Sequence, residues 1–395
     1  DKIIFAGSLR RKKETIGDID ILVTSQKPEK IMKTFTSLPQ VREILAEGPT
    51  KSSVITKGDI HVDVRVVEPI SFGAALQYFT GSKAHNIKLR ELAVKRGLKI
   101  NEYGVFDVKT DRRIAGESEQ EIYQILDLSF IPPELREDRG EIEAAQENRL
   151  PQLIEYSRIR GDLHLHTKWS DGAHTIRQMA EAAKKKGYKY IAITDHSQSL
   201  KMTGGLTEER LREQIELIHK INQELKDFTI LSGSEVDIKS DGSLDYPDEI
   251  LSRLDIVIAA IHSGFKQESK IITNRIVRAM QNKWVNIIAH PTGRLIGYRE
   301  AYQVDINKIM DVAAETRTIL EINAYPERLD LNDVYCRMAK DRGVQLAIET
   351  DAHSIDGLEF MNLGVDVARR GWLEEKDIVN TLPLDKLLKR LKRKL

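Results

Sequence analysis

Gly161-Asp162-Leu163-His164-Leu165-His166-Thr167-Lys168-Trp169-Ser170-Asp171-Gly172 decides how the larger part of this chain is read. A short apolar run ends in two histidines and turns through Ser-Asp-Gly. Residues two apart on an extended strand share a face, so His164 and His166 present their imidazoles together, and Asp171 adds an oxygen from the turn. That set suits one metal ion, yet two histidines beside a carboxylate are as often ordinary hydrogen-bonded polar groups. Recurrence of the pattern elsewhere decides between them.

The pattern recurs. Six further apolar runs follow, at 190–194, 229–232, 256–261, 285–289, 318–322 and 345–348, with amphipathic helical stretches such as 208–226 and 272–283 between them. Seven βα repeats, counting 162–166, predict a parallel sheet closed into a barrel, with its chemistry at the C-terminal ends of the strands. Those ends read Thr194-Asp195-His196, Gly233-Ser234-Glu235, Ile261-His262-Ser263, Ala289-His290-Pro291 and Thr350-Asp351-Ala352-His353. Six of the ten histidines fall in this one mouth, which chance placement rarely produces. Imidazole and carboxylate favour Zn²⁺, Mn²⁺ or Fe²⁺, and no thiolate demands zinc alone. Nine donors exceed the needs of one ion, so two or three metals are expected, able to activate a water while clamping phosphate oxygens.

Composition narrows the class without naming a substrate. The 395 residues suffice for two or three domains, and 61 basic residues balance 61 acidic ones. Any contact with nucleic acid must therefore come from local patches such as Arg10-Arg11-Lys12-Lys13 or the tail from Lys389 to Leu395, and such runs are usually solvated faces. A single cysteine, Cys336, excludes a disulfide framework and fits the cytoplasm. No apolar run has the length of a membrane span, and no signal peptide is present. The chain opens at Asp1 directly in an apolar strand, which suggests a portion of a longer protein.

The first 138 residues carry a second chemistry. In Gly17-Asp18-Ile19-Asp20-Ile21-Leu22-Val23, strand alternation sends Asp18 and Asp20 to one face and Ile19, Ile21 and Val23 to the other. Ile60-His61-Val62-Asp63-Val64 brings a third carboxylate. Three such charges on neighbouring strands repel unless cations lie between them, and two Mg²⁺ ions would serve in-line phosphoryl transfer. Gly7-Ser8 then reads as a small-residue turn toward a triphosphate.

Gly7-Ser8-Leu9-Arg10-Arg11, Asp18-Ile19-Asp20, Asp63, Tyr78-Phe79-Thr80-Gly81-Ser82, Asn86 and Arg90, followed by Asn101-Glu102-Tyr103-Gly104 and Ile131-Pro132-Pro133-Glu134-Leu135-Arg136-Glu137, resemble the palm and nucleotide-binding end of a family X DNA polymerase. The resemblance implies two Mg²⁺ or Mn²⁺ ions at Asp18, Asp20 and Asp63 as catalytic residues. It further implies nucleotide contacts at Gly7, Ser8, Arg11, Tyr78, Phe79, Gly81 and Asn86, and a DNA contact at Arg90. The helix-hairpin-helix region that normally precedes this point is absent, and His61 stands where relatives often carry Arg, so polymerisation is expected of the intact parent.

From 161 onward the order of the strand-end motifs resembles the polymerase and histidinol phosphatase (PHP) domain. That family implies a distorted seven-stranded barrel with a trinuclear site, whose ligands by match are His164, His166, Asp171, His196, Glu235, His262, His290, Asp351 and His353. Asp195, beside a ligand, is a candidate second-layer or proton-handling residue and counts among the catalytic candidates. Lys201, Arg294 and Arg328 are candidates for phosphate. His219 lies in a long charged helical stretch and reads as a surface residue, His85 and His174 have no ligand spacing, Cys336 reads as a core filler, and Glu321 and Asn323 read equally as supports of the ligands or as strand-end polar groups.

The expected fold is thus a mixed α/β and α+β multidomain chain. A nucleotidyltransferase-type palm covers 1–70, a nucleotide-binding subdomain 71–138, a helical connector 139–160, and a PHP (β/α)7 barrel 161–395. The combination resembles bacterial and archaeal family X polymerases. It implies a monomeric, cytoplasmic DNA repair polymerase acting on primer-template, gapped or recessed DNA with dNTPs. Its barrel would hydrolyse 3′ ends as a 3′–5′ exonuclease, with 3′-phosphatase or abasic-site cleavage as related activities. The alternatives are a small-molecule phosphatase of the histidinol phosphate kind and a structural metal module that supports the polymerase.

Overall fold

The computed structural model describes residues 2–392 and separates into two compact units, Asp1–Pro151 and Gln152–Leu395. The first unit is built on five strands, β1 (Ile3–Phe5), β2 (Asp18–Thr24), β3 (Val41–Glu47), β4 (Lys51–Thr56) and β5 (His61–Val67), in the order β1-β2-β5-β4-β3. Only β2 and β5 run parallel, with Asp18 opposite His61 and Asp20 opposite Asp63. The sheet is covered on both faces. Leu22 packs with Ala6, Phe72, Ala75 and Leu76, while Val23, Val64 and Val66 pack on Met32. Period-two alternation thus places Asp18 and Asp20 on the Leu22 face, at the strand end where that cover stops.

A three-stranded antiparallel meander follows, β6 (Leu98–Asn101), β7 (Gly104–Asp107) and β8 (Arg113–Ala115). Arg136, fully buried, ties this region to the palm end. Its guanidinium bonds Glu119 and the Ile131 carbonyl, and Glu119 also holds Arg10 at 2.6 Å. Burying a guanidinium is tolerable only with such pairing.

In place of the single connecting helix expected over 139–160, a short helix, Glu141–Gln146, buries Ile142, Ala144 and Ala145 in the first unit. Pro151, which disfavours helical geometry at Leu150, follows, and a turn at Tyr156–Arg158 begins the second unit.

The second unit carries seven parallel strands in sequential order: β9 (Gly161–Leu165), β10 (Tyr190–Ile193), β11 (Thr229–Asp237), β12 (Ile256–Ala260), β13 (Ile287–Ile288), β14 (Ile319–Asn323) and β15 (Leu346–Glu349). The seam between β9 and β15 closes through the Leu165–Ala352 bridge, where His166 N–H donates to Ala352 O at 3.0 Å. β13 is shorter than the 285–289 run because Val285 N–H turns back to Asn282 O at 3.2 Å.

Outward residues such as Ile191, Ile193, Val257 and Ile348 pack beneath the surrounding helices. Inward residues Leu163, Tyr190, Ile256, Ile258 and Ile287 form a second core, which Leu387 and Leu391 of the helix Leu384–Leu391 enter from the strands' N-terminal end. Tyr190 OH donates to Asn380 O and Leu382 O there, at 3.0 Å each. The expected basic tail from Lys389 is therefore partly a barrel plug, and residues 393–395 lie outside the described ones. Among the described residues no helix is long and apolar enough to cross a membrane.

Candidate metal centre

All nine residues expected as ligands meet at the C-terminal mouth of the barrel. Glu235, at the end of β11, is the hub: its carboxylate lies 2.8 Å from His196 Nδ1, 2.9 Å from His290 Nε2, 3.1 Å from His262 Nε2, 3.5 Å from His164 Nε2 and 3.6 Å from His166 Nε2. Asp351 Oδ1 stands 3.2 Å from His166 Nε2, and Asp171 bridges His353 at 3.4 Å and His196 at 3.5 Å. Among the described residues donor atoms converge in four groups: His166, Asp171, His196 and His353; His164, His166 and Asp351; His196, Glu235 and His262; and His164, Glu321 and Glu349, while His290 joins through Glu235.

The chemistry of these atoms fits cations. His164 Nε2, both nitrogens of His166, His196 Nδ1 and Glu235 Oε2 are buried without a hydrogen-bond partner, a costly state that a bound ion relieves. His196 Nδ1 and Glu235 Oε2 approach closely without hydrogen-bond geometry, as two ligands aimed at one ion do. Burial alone would raise the Glu235 carboxyl, but the charges of His262, His196 and His164 hold it well below the usual range. Burial lowers His166 to about 3, with His353 and His196 pushing the same way. His196 runs opposite: burial lowers it, yet Glu235 and Asp171 bring it to about 10. His290 and Asp351 adopt φ of 28° and 53°, a left-handed backbone unusual for these side chains and frequent where a site over-determines its geometry.

A second layer fixes the rings. His164 Nδ1 lies 2.7 Å from Glu321 Oε1, whose other oxygen accepts the His290 N–H and, at 3.2 Å, Asn323 Nδ2. Asn323 Nδ2 also reaches Asp351 Oδ2 at 3.1 Å, so Glu321 and Asn323 support the ligands. His262 Nδ1 faces Asp237 at 3.3 Å and His353 Nδ1 faces the Asp351 carbonyl at 2.8 Å. With Nδ1 engaged, Nε2 of each ring is left to face the centre.

Asp195 lies behind the centre, in the supporting position that was one of its two expected roles. Its carboxylate accepts from Thr167 N (2.7 Å), Thr167 Oγ1 (2.7 Å), Ser170 N (3.3 Å), Ser170 Oγ (2.5 Å) and Gln214 Nε2 (2.6 Å). It holds the turn carrying Asp171 and joins none of the donor groups.

The three basic candidates separate. Arg328 Nε is 3.3 Å from Asp351 Oδ2, whereas Arg294 donates to the carbonyls of Arg328 and Leu329 and Lys201 is exposed on the turn Lys201–Thr203. His219 is exposed, His85 is buried against Glu141 and Tyr123, His174 accepts from Ile355 N, and Cys336 fills the core.

Sequence reasoning missed Glu349, wholly buried beside Glu321 and His164 with both oxygens unpartnered. Burial and the Glu321 charge push its carboxyl well above the ordinary range. It closes β15 with its side chain among those of His164 and Glu321, a placement set by contacts across strands that no local signal carries.

In the first unit, Asp20 and Asp63 are opposite neighbours on β2 and β5. Burial, then the charges of Asp18 and Asp63, raise the Asp20 carboxyl. Asp63 is instead held below the usual range, its burial outweighed by Ser53, Lys51 and His61. The three are not gathered onto one point as the barrel donors are. Gly7, at φ 60°, abuts Asp20: a Cβ there would stand 2.1 Å from Oδ2. Ser8 follows in the helical turn Gly7–Arg10.

Arg11 pairs with Glu137 at 2.9 Å and donates to Thr80 O. Asn86 donates to Tyr78 O and Gly81 O and accepts from Gln77, so it shapes the bend carrying Tyr78, Phe79 and Gly81. Arg90 is exposed on the helix Lys83–Lys95.

Comparison with known proteins agrees with this layout. Residues 75–137 match the DNA polymerase beta thumb family and 162–325 the PHP domain family. A DNA polymerase/3′–5′ exonuclease PolX of Bacillus subtilis is 47% identical over 390 residues, covering 98% of this chain and 68% of that protein. This chain belongs to the PolX family. Its barrel alone is similar to proteins named as probable phosphatases: 30% identity over 231 residues in Thermoanaerobacter sp., covering 56% of this chain and 89% of the relative, and 32% over 203 residues in Caldanaerobacter subterraneus, covering 49% and 75%. The barrel of this PolX family member is thus similar over most of its length to proteins of which it covers 75–89%.

Proposed function

We propose that this chain joins two phosphoryl-transfer chemistries, nucleotide addition to DNA in the first unit and hydrolysis of phosphodiesters at DNA 3′ ends in the barrel. The observation that carries the second is the convergence of nine donors with five of their ligand atoms buried and unpartnered. Two or three divalent ions of the Mn²⁺, Zn²⁺ or Fe²⁺ kind, held by His164, His166, Asp171, His196, Glu235, His262, His290, Asp351 and His353, would supply Lewis acidity and a water deprotonated near neutral pH. Glu321, Asp237 and the Asp351 carbonyl keep the rings in the tautomer that faces the centre. Arg328, beside Asp351, is placed to hold a phosphate oxygen.

In the first unit, Asp18, Asp20 and Asp63 would hold Mg²⁺ or Mn²⁺. Gly7, Ser8 and Arg11 would face the triphosphate, Tyr78, Phe79 and Gly81 the sugar, and Asn86 would act by positioning that segment, with Arg90 meeting DNA. Burial and the charges of Asp18 and Asp63 raise the Asp20 carboxyl, a repulsion that cations between the three would offset.

A labelled recessed-end duplex, Mn²⁺ and no nucleotides test the reading, comparing this chain with His196→Ala. Trimming from the 3′ end that vanishes in the variant supports it. The probable-phosphatase relatives of the barrel favour a second reading, hydrolysis of small phosphoesters; release of phosphate from p-nitrophenyl phosphate without any trimming of DNA would select it.

A further inference from the structure

Two side chains of the second unit are exposed beyond anything its packing requires. Met202 is 102% exposed and Tyr298 78%, whereas no other exposed large hydrophobic among its described residues exceeds 42%. Both lie on loops leaving the C-terminal ends of barrel strands, one after His196 and the other after His290.

Neither loop is slack. Tyr298 closes a tight turn by donating its N–H to Leu295 O at 2.9 Å. Leu295 and Arg299 exchange backbone bonds of 2.8 Å, and Gly297 takes the φ of 81° that the turn needs. Ile296 N–H donates to Glu327 O, Arg294 braces the carbonyl of Arg328, and Arg328 touches Asp351, so the turn leans directly on the metal-centre wall. The Met202 loop is pinned by Leu206 N–H to His196 O at 2.8 Å, Ser197 N–H to Glu235 O at 3.1 Å and Arg210 Nη1 to Gly204 O at 3.0 Å. Lys201 is exposed beside Met202, Lys266 is exposed on the loop after His262, and Arg299 lies over the Phe265 ring at 4.1 Å. Apolar groups held stiffly in water with cations beside them match a ligand that is flat and apolar on its faces and anionic along its backbone.

We infer that Tyr298 stacks on the unpaired base of the nucleotide at a DNA 3′ end, and that Met202, on its separate loop, packs against the same DNA strand. The inference rests on the reading of the barrel as a hydrolase of DNA 3′ ends. Every base offers a π-face, so the contact favours frayed or single-stranded ends without choosing among bases.

The test uses the full chain with Mn²⁺ and a single-stranded oligonucleotide whose terminal nucleotide carries a base or is a base-less tetrahydrofuran analogue. Stacking on one aromatic ring is worth enough that Tyr298→Ala should raise KM for the base-bearing end about tenfold, with kcat unchanged. The base-less end should be indifferent to Tyr298→Ala, Tyr298→Phe should behave as wild type, and Met202→Ala should shift KM in the same direction by less. In the metal-free His196→Ala background, a 3′-terminal 5-iodouracil should photo-crosslink to Tyr298. Equal KM for the base-bearing end in wild type and Tyr298→Ala, or a cross-link placed elsewhere, overturns the inference while leaving the hydrolase reading intact. Absence of trimming by the wild-type chain overturns both.

Discussion

Asp195→Asn and Asp195→Ala together separate a residue that holds a loop from one that moves a proton. Asp195 receives five hydrogen bonds, three on Oδ1 and two on Oδ2. An asparagine can keep its oxygen on the Oδ1 side and place its amide toward Thr167 Oγ1, which can rotate, and Gln214, whose Oε1 is buried and unpartnered and can turn to accept. The loss is then the difference between charge-assisted and neutral bonds, about 1–2 kcal/mol. Alanine strands at least two buried donors, Thr167 N and Gln214 Nε2, at about 1–3 kcal/mol each, for a total of about 3–5 kcal/mol.

At about 2–4 °C per kcal/mol, the alanine variant should melt roughly 10 °C below wild type and the asparagine variant only a few degrees below. Thermal unfolding gives those values, and kcat/KM for 3′-end trimming supplies the second axis. Asparagine should retain activity within about tenfold, because a general acid or base contributes about 10²–10⁴-fold and a loop support does not. An asparagine variant with wild-type melting but activity reduced a thousandfold would refute this reasoning and restore Asp195 to the catalytic set.

Gly7→Ala sets a Cβ against Asp20 Oδ2 and forces an L side chain to φ 60°, so it should lower the first unit's stability by about 1–2 kcal/mol or more, read as a fall in its denaturation midpoint, and spare 3′-end trimming; an unchanged midpoint would count against the close approach. Chelation should destabilise the second unit by about 2.7 kcal/mol relative to protein held at a hundred times Kd, read as a fall in its melting temperature; indifference to chelator would argue against ions there. Burial keeps the His85 imidazole below its ordinary 6.5 despite Glu141, so the unfolded chain takes up a proton that the fold refuses, and stability should fall as pH drops below that value. Glu141, held below 4.5 by His85 against its own burial, adds a further loss in stronger acid; a first unit equally stable at pH 7.5 and 5.5 would contradict the burial of a neutral His85 imidazole.

The barrel was legible because each strand announces its end with a residue that water or metal must satisfy. His164, Glu235 and Asp351 stand at the tips of apolar runs, and the runs recur. What the sequence hid follows from physics that acts across strands. Asp195 lies past the end of β10, and its support of the turn through Thr167 and Ser170 and its bond from Gln214 depend on contacts up to 28 residues away. Glu349 carries no histidine beside it and looks like any strand-end acid. Glu321 and Asn323 could not be sorted until the His164 ring was seen between them and the centre. In the first unit the carboxylates of Asp18, Asp20 and Asp63 were readable as a set, but the engagement of Arg11 with Glu137 and of Asn86 with its own bend depends on contacts far apart in the chain. The 139–160 stretch misled because a charged, weakly periodic segment does not show where proline divides it.

The helix Leu384–Leu391, seated among the inward residues at the foot of the barrel, makes the cup blind. Traffic is therefore two-way through one doorway: whatever is cut must back out past the strand that supplied it before that strand can advance. A chamber with no rear exit favours substrates presented as ends over those threaded through.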